Sequence, residues 1–374
     1  MRIYFDNAAT TPLFPEVIDD MTEVMREYFG NPSSIHFYGR HAKSIIEEAR
    51  KTLANCLNAS IGEIFFTSGG TESNNTAIKC SVRDLGIRRI ITSPVEHPSV
   101  LQSIKHLDRK DVECIMLPID QLGRPDLDIL KQHLSAGTRP TLVSLMHANN
   151  ELGTMTDIAQ VAEHCTAYGA LFHSDTVQTV AHFPIDLSAT SVSFISGSAH
   201  KFHGPKGIGF LYVKGSNAIE PLIDGGSQER NMRAGTENTV YVRGLAKAFQ
   251  ICCDRMEEMS KYVTNLKIYL KTRLEQEFAD VRFNGDPEGS SLYTVLSTSF
   301  PAGPRSDLLL MNLDIEGVAA SGGSACSSGA IKGSHVLQAI SPDDDRVTIR
   351  FSLSDMNSRD EIDYLIDKIK KILD

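Results

Sequence analysis

Between Ala42 and Val213 the chain alternates two hydrophobic rhythms. Apolar residues recur at helical spacing from Ile45 to Ala54. Short apolar runs of strand length follow at residues 64–67, 89–92, 141–146, 170–173, 192–195 and 208–213. Several are almost unbroken in apolar residues, as in strands covered on both faces. Helical stretches such as 158–168 lie between them. The alternation predicts an α/β fold with a mostly parallel sheet. A long helical pattern then covers 239–277. Beyond it the pattern is α+β, with strands expected at 281–283, 294–297 and 347–351 and a closing helix over 359–373. We place a large domain over 15–255 and a smaller one in 1–14 with 256–374.

Composition narrows the class. Hydrophobic residues make up 41% and charged residues 22% of the 374, an ordinary globular balance. The net charge of -10 lacks the basic excess of a nucleic-acid binder. No apolar run approaches a membrane span, and residues 1–7 carry no signal core. The expectation is a cytoplasmic protein that engages neither nucleic acid nor membrane. The seven cysteines are Cys56, Cys80, Cys114, Cys165, Cys252, Cys253 and Cys326, with no CxxC pair. That argues against a disulfide framework and a structural zinc site. Most read as small buried hydrophobes, with Cys252 and Cys253 inside a helical core stretch.

In open α/β sheets, ligands gather at the carboxyl ends of strands. Unusual polar residues fall at those places here, strand after strand. Thr67-Ser68-Gly69-Gly70-Thr71-Glu72-Ser73-Asn74 follows a strand and opens a helix, the form of a phosphate cradle or of an ordinary capped turn. His97, just past the next strand, suits stacking on a flat ring or proton transfer, or is a plain loop residue. Asn149-Asn150-Glu151 follows an apolar strand and offers ligand contacts or a turn. Asp175, in His173-Ser174-Asp175-Thr176-Val177-Gln178, is costly to bury unpaired. A protonated pyridine nitrogen would match it; a helix cap is the plainer reading. Lys201 lies in a loop of small residues between two strands, beside Ser198 and His200. Burial there makes its amine a usable nucleophile for a Schiff base. Lys206 is its rival, although it fits a structural turn better. Cys326 sits in Ser321-Gly322-Gly323-Ser324-Ala325-Cys326-Ser327-Ser328-Gly329, which reads as a surface loop with a reachable thiol.

Ser198-x-His200-Lys201-x-x-Gly204-Pro205-x-Gly207-x-Gly209 resembles the cofactor-lysine signature of the class V aminotransferase group, and within it of the cysteine desulfurases. The likeness begins at Tyr4-Phe5-Asp6-Asn7-Ala8-Ala9-Thr10-Thr11. It continues through each motif above and Arg233-Ala234-Gly235-Thr236-Glu237-Asn238, and reaches Ile349-Arg350-Phe351-Ser352. It implies the type I fold of enzymes that depend on pyridoxal phosphate (PLP). It implies that Lys201 carries that cofactor and that Gly70, Thr71, Ser198 and His200 hold its phosphate, with Thr236 reaching in from the second copy of a homodimer. It further implies that His97 stacks on the ring, Asp175 pairs with the ring nitrogen, and Gln178 and Asn150 touch the ring oxygen or the substrate. Arg350 would bind the carboxylate of L-cysteine. Cys326 would take its sulfur as a persulfide for an acceptor protein, such as an iron–sulfur scaffold. No resident metal is implied, only a passing iron–sulfur contact at Cys326. Selenocysteine lyase and another PLP enzyme of this group, such as an aminotransferase, are the near alternatives. A non-catalytic sulfur carrier is the alternative from another class.

Overall fold

The computed structural model describes residues 2–107, 111–322, 333–341 and 345–374. Its strands are β1 (Ile3–Tyr4), β2 (Ile64–Thr67), β3 (Arg89–Thr92), β4 (Glu113–Met116), β5 (Thr141–Ser144), β6 (Leu171–Asp175), β7 (Phe194–Ser198), β8 (Gly209–Val213), β9 (Arg282–Asn284), β10 (Val295–Phe300), β11 (Val318–Ala319) and β12 (Val347–Ser352). Seven form the main sheet in the order β2-β8-β7-β6-β5-β3-β4. Only β8 runs against its neighbours. A short connection joins β7 to β8, too short to cross over the sheet, so the pair is antiparallel. That connection carries Lys201. The apolar runs found in the sequence are these strands, buried along nearly their whole length. β4 escaped the sequence reading because it is an edge strand whose side chains are mostly exposed.

Two apolar clusters carry most of the buried surface. The larger packs helices on the main sheet and draws on residues from Phe14 to Met259. The second gathers Ile3 and Phe5 with residues from Val263 to Ile369 around the sheet β12-β10-β9. β1 reaches that cluster by pairing in parallel with β11, Ile3 against Val318. The single helix expected over 239–277 is two helices, Thr239–Asp254 and Met256–Glu277. Arg255 leaves helical geometry between them and turns to Asp355, 3.5 Å away. One non-helical residue does not disturb an apolar period, so the pattern alone ran straight through. Cys252 is buried as expected, but Cys253 is only half-buried. Among the described residues no helix is long and apolar enough to cross a membrane.

The β7–β8 corner is built by close approach. A Cβ at Gly209 would lie 2.4 Å from the Gly197 carbonyl oxygen and 2.7 Å from Gly69 Cα. Both are backbone atoms and cannot rotate aside. We expect Gly209→Ala to cost ~1–3 kcal/mol through overpacking. A urea denaturation midpoint reads this, and an unchanged midpoint would mean that the strands separate freely. Behind the corner, the rings of Phe202 and Phe210 stand edge-on to Phe249 at 5.4 and 5.9 Å. Such pairs add about 0.5–1.5 kcal/mol beyond their buried area. They seat helix Thr239–Asp254 behind the lysine loop.

Candidate active site

The carboxyl ends of β2, β6 and β7 face one hollow. After β2 the chain turns through Gly69, at φ +150°, into helix Gly70–Asp84. A Cβ at Gly69 would stand 3.6 Å from Ser198 Oγ, and one at Gly70 would stand 2.6 Å from Val177 Cγ2. The start of the helix, the Ser198 hydroxyl and Val177 therefore line the same space. Thr71 is exposed at that helix start. His200 Nδ1 is buried with no hydrogen-bond partner. Burial first, then Lys201 and Lys206, push His200 down to about 3, so its ring is neutral. Free N–H groups of the first helical turn, a hydroxyl and an imidazole together form a donor set for an anion of phosphate size.

Asp175 ends β6, only 6% exposed. Its Oδ2 accepts from Asn74 Nδ2 at 2.7 Å, and its Oδ1 from the Val177 amide at 3.0 Å. Asn74 Nδ2 also reaches Ser99 Oγ at 2.9 Å, and Asn74 Oδ1 lies 3.1 Å from His173 Nε2. Ser99 Oγ in turn lies 2.7 Å from His97 Nδ1. Asp175, Asn74, Ser99 and His97 are thus one connected set, backed by His173 and Ser144 at 2.9 Å. Sequence reasoning gave roles to Asp175 and His97 but not to Asn74, Ser99, His173 and Ser144, the four residues that orient them. The available signal was Asn74, an amide where an inward helical position ordinarily holds a hydrophobe.

Lys201 Nζ donates to the carbonyls of Ala8 and Ala9 at 2.6 and 2.8 Å. Gln178 Nε2 donates to the same Ala8 oxygen at 3.1 Å. Thr11 ties this N-terminal strap down, its amide donating to the His200 carbonyl at 2.9 Å. The backbone of Lys201 is fixed too, its carbonyl 3.0 Å from His182 Nε2. Lys206 is exposed. His97 joins the two halves of the site: burial lowers its pKa, the Asp175 charge opposes this, and the Lys201 and His335 charges lower it further.

Arg350, on β12 and 1% exposed, meets the same N-terminal segment at Asp6. Its Nη1 donates to the Asn150 carbonyl at 3.0 Å and its Nη2 pairs with Asp6 at 2.8 Å, while Nε is buried without a partner. The backbone of Arg350 also exchanges hydrogen bonds with Ser321, at 2.7 and 3.3 Å. Cys326 lies outside the described residues. The chain on either side of residues 323–332 is nonetheless tied to the site. Ser321 holds Arg350, Ser334 donates to the Glu151 carboxylate, and His335 Nε2 sits 3.0 Å from the Glu96 carbonyl, next to His97. Thr236 is exposed and joins none of these groups within one chain. It follows three left-handed residues, Glu229, Arg230 and Asn231, at φ 44°, 58° and 66°. A buried bidentate pair, Glu229 with Arg50 at 2.9 and 3.0 Å, pins that strained turn. No group of three or more metal-ligating side chains occurs among the described residues.

Burial lowers His147, His173, His182 and His203 to about 4. In the unfolded chain they titrate near 6.5. As pH falls from about 6.5 toward 4, the unfolded state binds protons that the folded state refuses, so stability drops. Glu96 acts oppositely: burial raises it from 4.5 to about 8, so its contribution is present below 4.5 and lost as pH rises through 8. The histidines outnumber it. We expect denaturation midpoints to fall between pH 6.5 and 4.5 with net proton uptake on unfolding; a flat profile would contradict the neutral assignments.

The chain matches the family described as Aminotransferase class-V over residues 3–365. The cysteine desulfurase IscS of Dictyoglomus turgidum is 43% identical, over 100% of this chain and 95% of its own length. A solved NifS-like protein superposes with a TM-score of 0.91 at 36% identity, covering 100% of this chain and 99% of that one. SspA, solved in complex with cysteine, gives 0.82 at 30% identity, over 94% and 99%. The chain belongs to the class V aminotransferase family and, within it, to the cysteine desulfurases. Its architecture is the type I fold that the sequence resemblance implied.

Proposed function

We propose that the chain is a PLP-dependent cysteine desulfurase that converts L-cysteine to L-alanine and carries the sulfur as a persulfide on Cys326. The observation that carries this reading is the gathering, at the carboxyl end of the sheet, of Asp175 linked through Asn74 and Ser99 to His97, and of Lys201, whose Nζ shares the Ala8 carbonyl with Gln178. The hollow fits pyridoxal phosphate on this chain's own features. The unpartnered His200 nitrogen, Ser198 and the Gly69–Gly70 turn suit the phosphate. The Asp175 carboxylate, held by neutral donors, suits a protonated ring nitrogen. His97 and Gln178 would hold the ring from its sides. When bound, the cofactor supplies a covalent anchor for the substrate amine and an electron sink for its α-carbon.

The protein's own groups do the rest. Asn74 and the Val177 amide orient the Asp175 carboxylate. Lys201 would carry the cofactor and move the proton at the substrate α-carbon, and the Ala8 and Ala9 carbonyls aim its Nζ. Arg350 binds the substrate carboxylate with a guanidinium already aligned by Asp6 and the Asn150 carbonyl. Division of the chain into 15–255 and 1–14 with 256–374 then sets substrate binding at the seam of two units. The Cys326 thiolate attacks the substrate sulfur, so an S–S bond forms as the C–S bond breaks. The sum is L-cysteine plus thiol giving L-alanine plus persulfide. An acceptor protein, such as an iron–sulfur scaffold, takes the outer sulfur. Thr236, exposed beyond a strained turn, is suited to complete the phosphate site of the second subunit in a homodimer.

Product analysis with cysteine and selenocysteine side by side tests the reading, run on the parent chain and on Cys326→Ala. We expect alanine from cysteine, and a variant that keeps the cofactor absorbance but forms no persulfide. A stoichiometric keto acid, or undiminished persulfide turnover in Cys326→Ala, would overturn it.

A further inference from the structure

Behind the lysine loop, two polar atoms shut off from solvent face each other without a hydrogen-bond partner. They are Nε2 of His203 and Oδ1 of Asp355, 3.6 Å apart. His203 follows Lys201 and Phe202, is wholly buried, and stacks its ring on Phe14 at 4.2 Å. Its Nδ1 lies 2.8 Å from the Pro12 carbonyl, and its amide donates to Thr11 Oγ1 at 2.7 Å. The Thr11 hydroxyl donates in turn to the His200 carbonyl at 3.1 Å. His203 thus clamps the N-terminal strap to the lysine loop. Asp355 lies in the turn between β12 and helix Arg359–Leu373. Asn357 fixes that turn, its Oδ1 accepting from the Ser354 amide at 2.9 Å. Arg350 stands on the same strand, so the pair sits where the strand bearing Arg350 docks on the loop bearing Lys201. Nothing in the proposed desulfuration uses it.

A carbonyl oxygen only accepts, so His203 Nδ1 carries a proton and donates it to Pro12. A neutral ring then presents a lone pair at Nε2, and an ionised Asp355 would present another. Two buried acceptors face each other at a cost unless a proton lies between them. We propose that Asp355 is a positioning residue that holds this proton, donating as a carboxylic acid to His203 Nε2 and so fastening β12 to the lysine loop. The neighbouring groups fit that state. Arg255 Nη2, 3.5 Å from the other Asp355 oxygen, and His182 favour the anion, but burial raises the carboxyl more, with Glu258 adding to it. Burial holds His203 down to about 4, against the Pro12 bond, so its ring takes no second proton near neutrality. His182 is satisfied at both nitrogens, by the Tyr293 hydroxyl at 2.9 Å and the Lys201 carbonyl at 3.0 Å. Burial pushes the Tyr293 hydroxyl and the Cys252 thiol up, so both stay neutral. With the folded carboxyl raised above 3.8, the bond is present at low pH and is lost as pH rises through the folded value.

The test follows the ring nitrogens of the 12 histidines in full-length holoenzyme by long-range proton–nitrogen NMR. The His203 signals are identified by their loss in His203→Gln, or by their displacement in Asp355→Asn should the first variant not fold. We expect a ring protonated at Nδ1 only, whose Nε2 signal moves in one step to the position of a free lone pair as pH rises. In Asp355→Asn the side-chain amide donates the same bond at every pH, and its oxygen still faces Arg255, so the step should vanish. In Asp355→Ala the Nε2 signal should sit at the free position throughout. A ring protonated at both nitrogens, an Nε2 signal that no pH change moves, or the same step surviving in Asp355→Asn would overturn the proposal. Rising pH should also raise KM for cysteine more steeply in the parent than in Asp355→Asn, because the amide keeps β12 docked; this readout rests on the desulfurase reading, whereas the spectrum does not. Identical KM profiles would overturn the positioning role, and absence of alanine from every form would overturn the desulfurase reading alone.

Discussion

Lys201→Ala should lower alanine release by at least ~10²–10⁴-fold, the range for losing a positioned proton-transfer group. The fold should survive. The Nζ at the tip bonds the Ala8 and Ala9 carbonyls, while the loop is held by backbone and by Phe202. Lys206→Ala is the matched control, because that residue is exposed and should leave turnover near the parent value. The readout is alanine formed per chain at saturating cysteine, with the denaturation midpoint measured on the same preparations. If Lys206→Ala loses activity and Lys201→Ala keeps it, the lysine is wrongly assigned.

Glu229→Ala should give the largest loss of stability. Arg50 is 1% exposed and buried against Phe66, its guanidinium carbon 4.9 Å from that ring centroid. Its Nη1 and Nη2 both donate to Glu229, with a third bond to the Ile64 carbonyl at 2.6 Å. Removing the carboxylate leaves a buried cation with only the Ile64 carbonyl and a long 3.4 Å pairing of its Nε to the more exposed Glu47, and frees the Phe66 amide, which donates to Glu229 at 2.8 Å. Breaking one side of such a pair costs about 3–5 kcal/mol. The turn at Glu229, Arg230 and Asn231 should relax with it, since left-handed backbone at non-glycine residues persists only where its surroundings enforce it. Urea denaturation of the variant measures the loss. A change below ~1 kcal/mol would mean that Arg50 finds water or another partner.

The main sheet was legible because a strand covered on both faces must be apolar throughout, and six such runs stand out from Ile64 to Val213. The chemistry-bearing residues were legible because they cluster at the ends of those strands. Other features left no local trace. β4 is half-solvated, so its residues Glu113 and Met116 do not read as core. The antiparallel direction of β8 follows from the shortness of one connection. The carbonyls that aim Lys201 belong to Ala8 and Ala9, and backbone oxygens have no signature in side-chain type. The Arg50–Glu229 pair joins positions 179 apart, beyond the reach of any periodicity. Asn74 was in plain view within a glycine-rich motif, yet a polar residue near a helix start reads first as a cap. Cys253 shares a helical stretch with Cys252, but the helix turns it toward the margin of the core, where it is only half-buried.

The most direct test is borohydride reduction of the protein loaded with pyridoxal phosphate, followed by digestion and peptide mass mapping. A phosphopyridoxyl adduct on the peptide carrying Lys201, and on no other lysine, is the predicted result. An adduct confined to Lys206, or no adduct in protein that turns over cysteine, would contradict the assignment on which the site is built.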